Sequence, residues 1–177
     1  MKFTKQKLDG VYLIEPEPYK DERGMLRRNF CRNEFSNDSL LNDIKQTNIS
    51  ENTKKHTLRG FHFQYAPSGE KKVISCIKGS IYDIVVDLRQ DSKTFTEWLS
   101  FELSEENRLS LHIPVGCANA YLTLKGNTWI LYYHSEFYSP DNEGGIRYND
   151  PFFNFKWPAE PKIISSKDNN YPDWSIK

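Results

Sequence analysis

The chain has 177 residues and a mass of 20.8 kDa, enough for one ordinary domain and short of the roughly 250 residues above which chains split into several cores. Hydrophobic residues at 37% and charged residues at 27% exclude intrinsic disorder. Twenty-four Lys+Arg against 24 Asp+Glu leave a formal charge of +0, which excludes a whole-molecule field for nucleic acid or an acidic membrane. Any bound anion must be held by local cations.

The three cysteines, Cys31, Cys76 and Cys117, lack CxxC spacing and are odd in number, so reduced thiols are expected rather than a disulfide framework or a zinc site. The opening segment is polar and no apolar run approaches about 18 residues, so neither a signal peptide nor a membrane span is expected, and the protein is assigned to the cytoplasm.

Val11–Ile14 reads as a short strand, followed by extended and turn conformations set by Pro16, Pro18 and the run Asp21-Glu22-Arg23-Gly24. Phe35, Leu40, Leu41 and Ile44 recur at helical spacings and predict a peripheral helix over Asn33–Ile44. Beyond it the apolar pattern becomes two-fold. Val73–Ile77 and Ser80–Leu88, joined by Lys78-Gly79, predict a hairpin with β-branched arms. Trp98–Leu103, Leu111–Ile113, Ala120–Leu124 and Thr128–His134 follow as strands, the last two joined by Lys125-Gly126-Asn127. The proline-rich last third keeps Phe152, Phe153, Phe155 and Trp157 and is expected to wrap over the barrel. Strands at such spacing, with little helix, predict a β-barrel or sandwich, and no GxGxxG or GxxxxGK[ST] fingerprint occurs.

The densest run of chemically useful side chains is Arg59-Gly60-Phe61-His62-Phe63-Gln64. In an extended strand His62 and Gln64 share a face with Gly60, opposite Arg59, Phe61 and Phe63. Each candidate has an ordinary structural explanation when taken singly. A histidine among aromatics packs, Lys71-Lys72 protects a strand edge, Asp168 ends a polar turn, and one of Tyr132 and Tyr133 must face inward on any strand.

Taken together, Asp21–Gly24, Leu58–Gln64, Lys72, Gly79, Asp83–Arg89, Pro114–Asn119, Ile146–Pro151 and Ser165–Asp168 resemble, in order and spacing, the landmarks of dTDP-4-dehydrorhamnose 3,5-epimerases. The resemblance implies a mainly β fold, a cupin-type jelly-roll barrel with short peripheral helices, over residues 1–177 as one domain. It also implies a homodimer with exchanged strands, no metal or organic cofactor, and a nucleotide-diphosphate-linked 4-keto-6-deoxy sugar as substrate. By the same resemblance His62 is the base, Asp168 its carboxylate partner, Lys72 the cation at the ketone and Tyr132 the acid on the opposite face. Tyr138 is a neighbouring aromatic wall, Arg23 and Arg59 are diphosphate ligands, and Gln46 contacts substrate within the dimer. Metal-binding cupins need about three His or Glu ligands, whereas His62, Gln64 and Asn119 stand at the corresponding places, so a metal-free sugar site is expected.

Members of the family usually carry histidine after Gly-Phe-Ala in the second barrel motif, whereas this chain reads Gly116-Cys117-Ala118-Asn119. Losing the imidazole removes a titratable group near the enolate oxygen, and inversion at carbon 3 is expected with carbon 5 in doubt. The same departure admits a GDP-linked 4-keto-6-deoxy-heptose, as in relatives of bacterial capsule pathways. A non-catalytic sugar-binding barrel and a sugar 3,4-ketoisomerase are the rival readings.

Overall fold

A computed structural model describes residues 1–37 and 40–175. Among these, the strands β1 (Lys2–Lys5) and β2 (Tyr12–Glu15) are followed by the small hairpin β3 (Tyr19–Asp21) and β4 (Gly24–Leu26), then by helix α1 (Arg32–Asn37). Next come β5 (Gln46–Asn52), β6 (Leu58–Gln64), β7 (Lys72–Lys78), β8 (Ser80–Asp87) and β9 (Trp98–Ser104). The chain closes with β10 (Ser110–Ile113), β11 (Cys117–Thr123), β12 (Thr128–His134), β13 (Glu143–Gly145) and the short helix α2 (Ser166–Asn169).

Two antiparallel sheets face each other, one ordered β1-β2-β10-β7-β12-β5 and the other β13-β6-β11-β8-β9. This is the mainly β, cupin-like jelly roll that the strand spacing and the resemblance predict. Between the sheets lie Ile74, Cys76, Leu111 and Ile130 from one and Ile81, Val85, Leu103 and Tyr121 from the other. The strand alternation sets this: on β8, Ile81, Asp83 and Val85 point inward while Ile84 and Val86 point out. The outer face of the second sheet is sealed by Phe153, Phe155, Trp157 and Trp174, so the last third does wrap the barrel. Phe155 stacks on Phe61 at 4.3 Å between ring centroids.

Two local expectations are corrected. The Val73–Ile77 and Ser80–Leu88 strands do not pair as a hairpin: β7 lies between β10 and β12, whereas β8 lies between β11 and β9. Gly79, at φ +80°, instead carries the chain from one sheet to the other, and its N–H is held by Glu105 at 3.0 Å. The β11–β12 connection crosses between sheets in the same way. The helix predicted over Asn33–Ile44 ends at Asn37. Leu40 and Leu41 bury against the first sheet from irregular backbone, because the Leu41 N–H finds His112 Nε2 at 3.2 Å without a helical partner. Residues 38 and 39 of that segment lie outside the described residues. Among the described residues no helix is long and apolar enough to cross a membrane.

Candidate active site

A bulge in β6 organises the site. Asn119 on β11 pairs with His62 and Tyr121 pairs with Arg59, so Gly60 and Phe61 together oppose Ala120. Strict alternation predicts Arg59 and His62 on opposite faces; the extra residue brings both to the inner one, and the expectation that Arg59 faces away is corrected. Gly60 has φ +109°, and a Cβ there would sit 2.5 Å from the Asn119 carbonyl oxygen, so only glycine allows this approach.

His62 and Asp168 are 106 residues apart in sequence and 2.8 Å apart through Nε2 and Oδ1. Asp168 sits in α2, whose cap Ser165 accepts the Asp168 N–H, and its other oxygen accepts the Gly60 N–H at 3.1 Å. Burial works to raise the Asp168 pKa, but the His62 contact and the Gly60 and Ser165 hydrogen bonds outweigh it and hold the carboxyl below its ordinary value. An ionised Asp168 accepts from Nε2–H and leaves the other ring nitrogen to take a proton. The ring itself borders a cavity of about 270 Å³, below the roughly 300–1,000 Å³ of sites that enclose drug-sized ligands, so it suits a single sugar ring with the remainder of a ligand outside.

Facing His62 from the other sheet are Lys72, Tyr132 and His134, all lining the cavity. The buried Lys72 ammonium donates to the His62 carbonyl at 2.9 Å and lies 3.4 Å from Glu70, whose second oxygen meets His134 Nδ1 at 2.8 Å. Burial acts to raise the Glu70 pKa, and His134 and Lys72 overcome it to keep the carboxylate ionised. His134 stacks on Tyr132 with an interplanar angle of 16°. Desolvation pushes the Tyr132 phenol well above its ordinary pKa, with Tyr121 adding to the effect, so it is held protonated. Arg59 Nε donates to Asn52 at 2.9 Å, and Asn119 Nδ2 donates to the buried Asp83 at 3.1 Å.

The remaining predicted residues divide. Gln64 lines the cavity, but its amide is committed to the loop behind it, accepting from Ser139 at 2.6 Å and donating to Ser68 and Phe137. Tyr138 stands at the rim with its hydroxyl donating to Glu143 at 2.8 Å. Gln46 does not line the cavity; it accepts the Tyr138 N–H at 3.1 Å and so fixes that rim. Arg23 is not in the cavity of this chain either. It is 82% exposed on the β3–β4 hairpin and ion-paired to Asp21 at 2.6 Å. Among the described residues no group of three or more His, Cys, Asp or Glu converges as metal ligands.

A family model described as dTDP-4-dehydrorhamnose 3,5-epimerase matches residues 5–175. The chain belongs to the dTDP-4-dehydrorhamnose 3,5-epimerase family. A dTDP-4-dehydrorhamnose 3,5-epimerase of Methanothermobacter thermautotrophicus is 40% identical over 174 residues, covering 96% of this chain and 92% of that one. The Bacillus anthracis dTDP-4-dehydrorhamnose 3,5-epimerase, solved with TDP and PPi bound, superposes with a TM-score of 0.94 at 33% identity, over 98% of this chain and 99% of that one. ChmJ, a 3'-monoepimerase from Streptomyces bikiniensis solved with dTDP-quinovose, gives a TM-score of 0.88 at 27% identity, over 95% of this chain and 85% of that one.

The protein is thus an isomerase, a nucleotide-sugar epimerase. Sequence reasoning missed four polar residues in and under the site of this epimerase: Glu70, Asp83, His134 and Glu143. Two signals were available. His134 lies two residues from Tyr132 on one strand and must share its face. Asp83 is a lone carboxylate inside the apolar run Ile81–Val86, where burial without a partner is costly.

Proposed function

We propose that this epimerase inverts carbon 3 of a dTDP-linked 4-keto-6-deoxyhexose by proton abstraction and redelivery. His62 takes the hydrogen on carbon 3 as a proton, the C–H electron pair forms a double bond to carbon 4, and the ketone oxygen becomes an enolate beside the Lys72 ammonium. Tyr132 then returns a proton to carbon 3 from the opposite face as the ketone reforms. Solvent restores the phenol and removes the proton from His62. The observation that carries this reading is His62 on one sheet, paired at 2.8 Å with Asp168 of α2, across a sugar-sized cavity from the protonated Tyr132 on the other sheet.

Carbon 3 is preferred to carbon 5 because inversion at the second carbon requires the ring to turn while its ketone stays gripped, and Asn119 replaces the family's histidine near that oxygen. The dTDP carrier is preferred because the Bacillus anthracis relative is described with TDP and the monoepimerase with dTDP-quinovose. The residues 1–177 act as one epimerase domain in the cytoplasm, a setting in keeping with the free thiols of Cys31, Cys76 and Cys117.

Two copies exchange strands in a homodimer. The β3–β4 hairpin supports this, since it exposes Tyr19, Met25 and Leu26, apolar surface that a second copy would cover. On this reading Arg23 reaches a diphosphate at the partner's cavity mouth, where Arg59 also binds, and Gln46 contacts substrate within the dimer.

Incubation with dTDP- and GDP-linked 4-keto-6-deoxy sugars, followed by borohydride reduction and product analysis, tests the assignment. The expected product is the carbon-3 epimer from the dTDP substrate. A moved ketone identifies a ketoisomerase, binding without turnover identifies a sugar-binding barrel, and selective turnover of the GDP-heptose overturns the carrier assignment.

A further inference from the structure

Asp83 is fully buried, yet only one of its oxygens has a partner: Oδ2 accepts from Asn119 Nδ2 at 3.1 Å, while Oδ1 has no hydrogen-bond partner in the protein. Asn119 in turn lines the cavity, so the carboxyl stands directly behind a group that meets the sugar. A primary amide has an acceptor end and a donor end of nearly equal size, and the same separation accommodates either end against a carboxyl. An ionised Asp83 can only accept, which fixes Nδ2 against it and turns the Asn119 carbonyl oxygen to the cavity. A protonated Asp83 can donate to that oxygen, which releases Nδ2 to face the cavity as a donor.

Resting on the proposed enolate chemistry, we propose that Asp83 is a positioning residue that sets, through its own proton, which end of the Asn119 amide faces the ketone oxygen. The donor end stabilises the enolate and the acceptor end repels it. The surroundings favour the productive state near neutrality. Burial raises the Asp83 pKa to about 8, opposed by the Asn119 hydrogen bond and the Lys72 charge. Lys72 from β7 and Tyr132 from β12 are the titratable groups that act on Asp83 from the facing sheet. Its other inner neighbours, Ile81 and Val85 on β8 and the paired Phe101 on β9, carry no charge, and its β11 partner is Tyr121.

The test is the pH profile of solvent deuterium uptake at carbon 3 of a dTDP-linked 4-keto-6-deoxyhexose. In the wild-type enzyme uptake falls about tenfold between pH 7 and 9, following the protonated fraction of Asp83. Asp83→Asn cannot ionise and loses this fall, and Asn119→Ala loses it too because no amide is left to turn. Thermal melts establish that each variant is folded; if Asp83→Asn is not, the Asn119→Ala profile alone decides, and if Asn119→Ala is not, Asn119→Ser, which also has no amide to turn, takes its place. A fall retained in Asp83→Asn assigns the titration to another group and overturns the proposal. A fall retained in Asn119→Ala but lost in Asp83→Asn means that Asp83 acts by charge alone and overturns the role of the amide. No uptake in the wild type at any pH refutes the enolate reading itself, a result separate from all of these.

Discussion

Arg59 and His62 share the inner face of β6 although they stand at an odd spacing in sequence, because Gly60 and Phe61 bulge against Ala120. The bulge aims the arginine and the imidazole into one cavity, while Phe61 is sent outward to stack on Phe155. Gly60→Ala therefore puts a methyl into the Asn119 backbone at a positive φ and should cost about 1–3 kcal/mol. Thermal melting should show a drop of several degrees, with turnover falling further than stability. An unchanged melting temperature together with unchanged turnover contradicts the account.

His62 and Tyr132 face each other from different sheets and should fail differently. His62→Ala should abolish solvent deuterium uptake at carbon 3. Tyr132→Phe should leave uptake measurable while slowing net inversion at least tenfold, since a proton can still leave but is poorly returned to the other face. Equal, intact turnover in both variants removes the assigned roles.

The departure at Asn119 is open to a gain-of-function test. Asn119→His restores the imidazole usual in the family beside Asp83 and should raise deuterium uptake at carbon 5 relative to carbon 3. A carbon-5 to carbon-3 ratio that does not move shows that another position limits the second inversion.

His112 offers a stability test away from the site. It is 2% exposed, accepts from the Leu41 N–H at Nε2 and meets the Gly10 carbonyl at 2.9 Å through Nδ1, an arrangement that fits only the neutral ring. Burial lowers its pKa from 6.5 to about 4. The unfolded chain thus binds the proton more readily. The full contribution is present above pH 6.5 and is lost as pH falls toward 4, amounting to about 2–3 kcal/mol near pH 4.5. Urea unfolding at pH 7 and 4.5 should show that loss in the wild type and a smaller one in His112→Gln. Equal losses in both contradict the assignment.

Local pattern revealed most strands, because β-branched runs such as Val73–Ile77 and Thr128–His134 carry their own two-fold signal. Which sheet each joins is decided by closure of the barrel, and nothing in Lys78-Gly79 distinguishes a hairpin from a crossover. The short α1 shows the same limit, since Leu40 and Leu41 reach the core whether or not the backbone is helical. At the site, His62 was visible on its strand, but Asp168 came only through the family resemblance, as no periodicity links positions 106 residues apart. Alternation alone puts Arg59 on the wrong face, because it carries no trace of a bulge until the partner strand is known.

The most direct test of the proton-transfer account is to incubate the wild-type enzyme and His62→Ala with a dTDP-linked 4-keto-6-deoxyhexose in deuterated water. Deuterium at each sugar carbon is then read by NMR. The account predicts rapid uptake at carbon 3, little at carbon 5, and none at either carbon in His62→Ala. Uptake at carbon 3 that survives the loss of the imidazole contradicts it.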